Sequence, residues 1–237
     1  MTEATRDLLT QLAEAQPDKP AVIEDLPDGR VRSWTFAEFE ASANRVGRML
    51  LDHGVQAGNR VIWCGQSSPW IVAIMHAARK IGVVAVPLNY RLTPEEAAYV
   101  VDNSDAVAAF VDAEFAELFA KIRPETPQLR EVFVFDADRA AVTVPEGQHD
   151  AMPLLAAADP GEIEGGNAGG AAGTMIYTSG TTGKPKGAVR QGPGDPAQTA
   201  RMIEFYGVRP DDVYLTTGPL YHSGPSGFMM VGQMLGQ

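Results

Sequence analysis

Apolar positions along this chain recur with two periods in turn, and that alternation predicts most of its elements. A polar–apolar helical pattern runs from about Thr2 to Ala15 and ends at Pro17. Ala21–Glu24 and Val31–Trp34 flank Pro27-Asp28-Gly29 and predict a hairpin. Thr35 and Glu38 have the spacing of a capping box. The helix they open carries Phe36, Phe39, Ala43, Val46 and Leu50 on one face and stops at Gly54. Short apolar runs follow at Arg60–Cys64, Val83–Pro87, Ala106–Val111 and Glu131–Phe135. Between them lie helical patterns at Ser68–Ile81, Thr93–Asn103 and Glu114–Ile122, the first two opening with Pro69 and Pro94. Nearly continuous apolar strands between amphipathic helices need cover on both faces. The fold class expected is α/β, with a doubly wound, mostly parallel sheet.

The pattern lapses from Asp136 to Gly170, a stretch rich in Ala, Pro and Gly, which reads as a partly mobile connection. It divides the chain into a first α/β subdomain, 1–160, and the start of a second, 161–237. The second opens with an apolar strand at Thr174–Tyr177, and a further short strand is expected at Val213–Thr217.

Composition narrows the partners. The formal charge of −11 argues against a broad nucleic-acid surface. A local cluster such as Lys184, Lys186 and Arg190 still suits a small anion. The lone cysteine, Cys64, excludes an intrachain disulfide, which fits a reducing compartment. No stretch approaches the ~20 apolar residues of a membrane span, and the N-terminus lacks a signal-peptide pattern. A cytoplasmic protein is expected.

The most informative segment is Thr178-Ser179-Gly180-Thr181-Thr182-Gly183-Lys184-Pro185-Lys186-Gly187. It packs three glycines, four hydroxyls and two lysines into ten residues. Glycines let the backbone turn so that amide N–H groups point inward, a concave nest suited to phosphate oxygens. The hydroxyls add donors within reach of a phosphate-bound Mg²⁺, and the lysines offset polyphosphate charge. A strand leads directly in, which places the loop at a carboxyl strand end, where open α/β sheets bind ligands. The loop is not a Walker A motif: Thr178 stands where its first glycine belongs, and Pro185 where its Ser/Thr would hold the metal.

Tyr177 to Gly187 resembles the phosphate-loop signature of the adenylate-forming superfamily, which includes acyl-CoA synthetases. Pro87-Leu88-Asn89-Tyr90-Arg91-Leu92-Thr93-Pro94 is similar to a segment between an early strand and helix of that family. Gly218-Pro219-Leu220-Tyr221-His222-Ser223-Gly224 is similar to its segment at the acyl pocket. The order and spacing fit nearly the whole chain. The resemblance implies activation of a carboxylic acid, fatty or otherwise apolar, by ATP with Mg²⁺, followed by transfer to coenzyme A. It implies that Thr178, Ser179, Gly180, Thr181, Thr182 and Gly183 hold phosphate oxygens. Lys184 and Lys186 would support charge as pyrophosphate leaves, and Thr178 is the hydroxyl placed near Mg²⁺.

His222 reads either as a gate where acid and adenylate meet or as a histidine satisfied by a nearby carbonyl; the residues around it favour the gate. Ser223 and Gly224 accompany it as substrate-binding candidates. Phe228, Met229, Met230 and Val231 fit an acyl tunnel and a core-facing helix equally well. Cys64 reads as a structural thiol, and His53 and His76 have no metal-ligand spacing. The family's downstream segments, carrying its metal-binding glutamate, ribose-binding aspartate, hinge and mobile-domain lysine, are not found before Gln237. The chain is therefore expected to be a truncated N-terminal portion, inactive alone and inclined to self-associate. A noncatalytic nucleotide-binding or assembly fragment and an amino-acid adenylation domain are the alternatives.

Overall fold

The computed structural model describes residues 6–26, 28–163, 173–178, 184–191 and 195–237. Helix α1, Leu8–Ala15, begins later than its sequence pattern, because the Asp7 carboxylate accepts the Leu9 amide at 3.0 Å and caps the helix there. Residues 1–5 of the expected helix lie outside the described residues. Strands β1, Pro20–Asp25, and β2, Val31–Thr35, pair antiparallel as the expected hairpin; Pro27 in its turn lies outside the described residues. The Thr35–Glu38 capping box is formed reciprocally and opens α2, Phe36–Asp52. The five apolar residues of its predicted face are all buried. Gly54 ends the turn with φ 75°, a left-handed conformation that costs glycine little.

The α/β alternation follows: β3 Arg60–Cys64, α3 Pro69–Lys80, β4 Val84–Pro87, α4 Pro94–Asn103, β5 Ala106–Asp112, α5 Ala116–Ile122 and β6 Glu131–Phe135. Thr93 and Glu96 form a second capping box, at the start of α4. Short elements come next: α6 Ala137–Ala140, β7 His149–Asp150 and α7 Ala151–Ala157. These last three occupy part of the stretch read as a connection, which is a correction. β7 is a two-residue polar edge strand held by His149 Nε2 on Glu131 Oε2 at 2.7 Å, so it carries no apolar period to detect. The Asp150 carboxylate then caps α7 through the Met152 amide at 3.0 Å. The glycine-rich end of that stretch, 164–170, lies outside the described residues.

Seven strands make one sheet in the order β7-β6-β5-β3-β4-β8-β9, where β8 is Gly173–Thr178 and β9 is Lys186–Gln191. All pairings are parallel except β8 with β9. Alternate strand residues feed two cores, one on each face. Val61, Trp63, Phe110 and Phe133 join the core built with α2, α3 and α7. Ile62, Cys64, Val111 and Val134 join the core built with α4 and α5. Strands buried on both faces explain why these runs are apolar without alternation.

Beyond β9 come α8, Pro196–Tyr206, and α9, Ser223–Met234. The strand expected at Val213–Thr217 is not formed. A strand needs a ladder partner, and no described strand pairs with this segment, whose Val213 and Leu215 are 81% and 76% exposed. No helix among the described residues is long and apolar enough to cross a membrane.

Candidate functional site

β8 and β9 form an antiparallel hairpin whose connection is the phosphate-loop sequence. Ser179, Gly180, Thr181, Thr182 and Gly183 lie outside the described residues. The two stems are described, and they bring Thr178, the last residue of β8, opposite Lys186, the first of β9. Directly opposed residues of a pair project to the same face, and that face repeats every second residue. Thr178 and Lys186 therefore share a face with Ile176 and Ala188 and with Thr174 and Arg190. Met175, between them in sequence, points the other way, into the core under α4.

Lys184 takes that opposite side. Its Nζ lies 4.8 Å from the centre of the Tyr99 ring on α4, and the Tyr99 hydroxyl donates to the Pro185 carbonyl at 3.2 Å. The Tyr177 hydroxyl donates to Asn103 Oδ1 at 2.8 Å on the same side, and burial pushes that phenol up to about 12. The two lysines of the loop thus have different surroundings, one on the α4 side and one facing the opposite way.

His222 stands at the N-terminal boundary of α9, exposed, with Ser223 and Gly224 exposed beside it. Its carbonyl accepts from Ser226 N at 3.2 Å and Ser226 Oγ at 2.9 Å, and its ring lies 4.4 Å from that of Tyr221. Loops at the carboxyl ends of the parallel strands hold this segment. Ser67 Oγ, after β3, accepts the Leu220 amide at 3.1 Å. Tyr90, after β4, meets Tyr221 edge-on at 5.5 Å and stacks on Phe115, after β5, at 5.4 Å. Sequence reading missed this clamp, since Ser67 and Phe115 carry no motif.

A cavity of about 550 Å³ lies between α1, α3, β8 and α9. Thr174, Ile176 and Arg190 line it from the hairpin face that Thr178 and Lys186 share. Ser223, Ser226, Gly227, Met230 and Gln233 line it from α9. The cavity therefore touches both segments singled out from the sequence, although no hydrogen bond or ring contact joins His222 to Thr178 or Lys186 among the described residues. Of the four candidate tunnel residues, Met230 lines the cavity, and Met229 is buried in the core.

At the end of the cavity remote from Ser223 lie His76 and Gln233. Their ring nitrogen and amide oxygen are 2.6 Å apart, and Arg79, ion-paired with Asp7, contacts the other ring nitrogen at 2.8 Å. Burial, and secondarily the Arg79 guanidinium, pull His76 down to about 4. Burial alone would push the Asp7 carboxyl up, but Arg79 and Lys80 more than offset it and leave it below the usual range. The unfolded chain takes up the His76 proton near 6.5, so the folded state loses stability as pH falls from 6.5 to about 4. The unfolding free energy from urea titrations across that window should fall by an amount on the order of 3 kcal/mol, and less steeply in His76→Asn. A midpoint independent of pH there would mean that His76 is not held neutral.

Cys64 is buried in a strand, and burial, with Asp112 and Glu114 nearby, pushes its thiol up, as a structural thiol requires. Among the described residues no group of three or more His, Cys, Asp or Glu side chains could hold a metal ion. Thr178, the hydroxyl expected near Mg²⁺, is exposed at the end of β8.

Known proteins resemble this chain over nearly its whole length. A 3-hydroxybenzoate–CoA ligase from Aromatoleum sp. (strain CIB) is 37% identical over 226 residues, which are 93% of this chain and 40% of that protein. The chain thus spans about 40% of the length of the curated relatives it matches. A protein assigned as a long-chain-fatty-acid CoA ligase from Rhodopseudomonas palustris shares the fold at a TM-score of 0.80 and 23% identity, over 97% of this chain and 55% of that one. An o-succinylbenzoate CoA synthetase from Bacillus subtilis, solved with its acyl-adenylate intermediate, superposes at a TM-score of 0.70 and 26% identity, covering 97% and 53%. The AMP-binding enzyme family matches residues 9–237, and the chain belongs to that family.

Proposed function

We propose that this chain is part of an acid–CoA ligase that activates a fatty or other apolar carboxylic acid with ATP. The observation that carries the reading is the shared face of the β8–β9 hairpin. It places Thr178 and Lys186 at its tip and the walls of a largely apolar cavity below them. A cavity of this size suits a small organic ligand. The acid would lie in the cavity with its carboxylate toward Ser223 and the loop.

In the first step a carboxylate oxygen forms a bond to the α-phosphorus of ATP. The bond from that phosphorus to the bridging oxygen breaks, and pyrophosphate leaves with the electron pair. The nucleophile is already anionic, so the chain's contribution is positioning and charge compensation rather than base catalysis. Lys186, with Thr178, Ser179, Gly180, Thr181, Thr182, Gly183 and Lys184, would hold the phosphates. Mg²⁺ supplies charge neutralisation on those phosphates when bound. His222, with Ser223 and Gly224, would flank the junction of acid and nucleotide. In the second step the coenzyme A thiolate takes the acyl carbon and AMP departs. Residues 161–237 are proposed as the start of a second subdomain, in a cytoplasmic protein.

The relatives' greater length motivates a further part of the proposal, that this chain alone binds nucleotide without turnover. Carboxylate-dependent ATP–pyrophosphate exchange with Mg²⁺ tests it, across acids from acetate to long-chain, aryl and amino acids. Silence together with measurable pyrophosphate binding is the expected result. Exchange with one acid class would name the substrate and overturn the proposed incompetence, and failure to bind pyrophosphate at all would count against the loop assignment.

A further inference from the structure

The cavity is apolar along its walls and polar at its far end. Leu12, Met75, Ile176 and Met230 form walls. His76 and Gln233, 4% and 7% exposed, close the end. Their hydrogen bonds allow one proton assignment. A guanidinium can only donate, so the 2.8 Å contact from Arg79 Nη2 makes His76 Nδ1 an acceptor. Neutral imidazole then carries its proton on Nε2 and donates it to Gln233 Oε1 at 2.6 Å. The Gln233 carboxamide keeps two N–H donors on Nε2, for which no acceptor is found among the described residues.

We infer that this pocket selects a carboxylic acid bearing an uncharged oxygen acceptor, a hydroxyl, ether or keto oxygen, at the end remote from its carboxylate, received by the Gln233 amide. The inference rests on the proposal that the cavity holds the acid. Ser223 and Gln233 are ten residues apart on α9, roughly 15 Å along the helix axis at 1.5 Å per residue. A medium-chain acid reaches that far, and an unsubstituted benzoate does not. A plain alkyl end would bury beside Gln233 without giving its amide an acceptor, and sites built around a hydrogen bond reject the analogue lacking it for that reason. A second carboxylate gains little there, because both carboxylate oxygens of Asp7 already engage Arg79.

The test is calorimetric binding of decanoate, ω-hydroxydecanoate, ω-methoxydecanoate and ω-aminodecanoate to the chain as it stands. The hydroxy and methoxy acids, which both offer an acceptor, are expected to bind about tenfold tighter than decanoate, one hydrogen bond's worth. The ammonium of the amino acid offers only donors and should bind most weakly. Gln233→Met should make decanoate and the two oxygenated acids equal. Met230→Trp, which fills the cavity, should weaken all of them. Equal binding of decanoate and the oxygenated acids by the wild-type chain overturns the inference while leaving the cavity as an acid site. A preference that survives Gln233→Met also overturns it. Binding that ignores Met230→Trp, or no binding of any acid, overturns the cavity reading together with the inference. Should Gln233→Met not fold, the order of the methoxy acid and decanoate on the wild-type chain decides, since both are uncharged at the far end and only the ether offers the amide an acceptor.

Discussion

Replacing Lys80 with methionine is expected to lower the unfolding free energy by about 3–5 kcal/mol, the range for removing one partner of a buried ion pair. The Lys80 side chain is 3% exposed, and its Nζ lies 2.8 Å from Glu40 Oε1, 2.9 Å from Thr10 Oγ1 and 3.3 Å from Asp7 Oδ1. Those contacts tie α3 to α2 and to the N-terminal cap of α1 in one cluster. Without the ammonium, the Glu40 carboxylate keeps, among the described residues, Thr10, at 2.7 Å, and Asn44, at 3.1 Å, as donors. Much of the cost is therefore the buried, uncompensated charge rather than a lost attraction. Adding Glu40→Gln removes that charge while leaving an oxygen for Thr10 and Asn44, so the double variant should recover about half of the loss. Urea unfolding of the wild type and the two variants reads both numbers. A single-variant loss below about 1 kcal/mol, the scale of surface pairs, would mean that the cluster is open to water. The same cluster anchors Asp7 and Arg79 behind His76, so the polar end of the cavity depends on it for its geometry.

Much of the fold was legible because buried parallel strands leave a strong signature. The runs at Arg60–Cys64 and Glu131–Phe135 match β3 and β6 residue for residue, since apolar residues on both faces mark such strands without help from neighbours. Helix starts were legible where a side chain does the capping, as at Thr35. What escaped was whatever depends on a distant partner. β7 is a polar pair held by a residue 18 positions away, and the segment at Val213–Thr217 has strand-like residues with which no described strand pairs. The site divides the same way. The loop and the segment at His222 are contiguous motifs and stand out in one dimension. His76 and Gln233 are 157 residues apart, and nothing local to either tells that they meet at the end of a cavity. Nor could the sequence distinguish the two lysines of the loop, because Lys184 precedes β9 and its side is set by Tyr99 on α4, a contact across 85 residues.

That separation sets the last expectation. Lys186→Ala should weaken pyrophosphate or MgATP binding to this chain by about 10–100-fold, the loss of one charge-assisted hydrogen bond of roughly 1.5–3 kcal/mol. Lys184→Ala should weaken it about threefold or less, an allowance for lost field on an exposed charge. Lys186 stands opposite Thr178 on the hairpin face that continues into the cavity. Lys184 is drawn over Tyr99, where it braces the exit of the loop through a ring contact of modest strength. Titration calorimetry on the two single variants decides between the roles, and raising the salt should weaken the wild type more than Lys186→Ala, because a phosphate contact made by an exposed cation is screened. Equal losses would mean that both ammonium groups reach the phosphates. A larger loss for Lys184→Ala would reverse the assignment and move the charge-compensating role to the α4 side of the hairpin, away from the cavity. The acid and the nucleotide would then approach the hairpin from different faces, and the reaction would need the phosphates to cross the loop to meet the carboxylate.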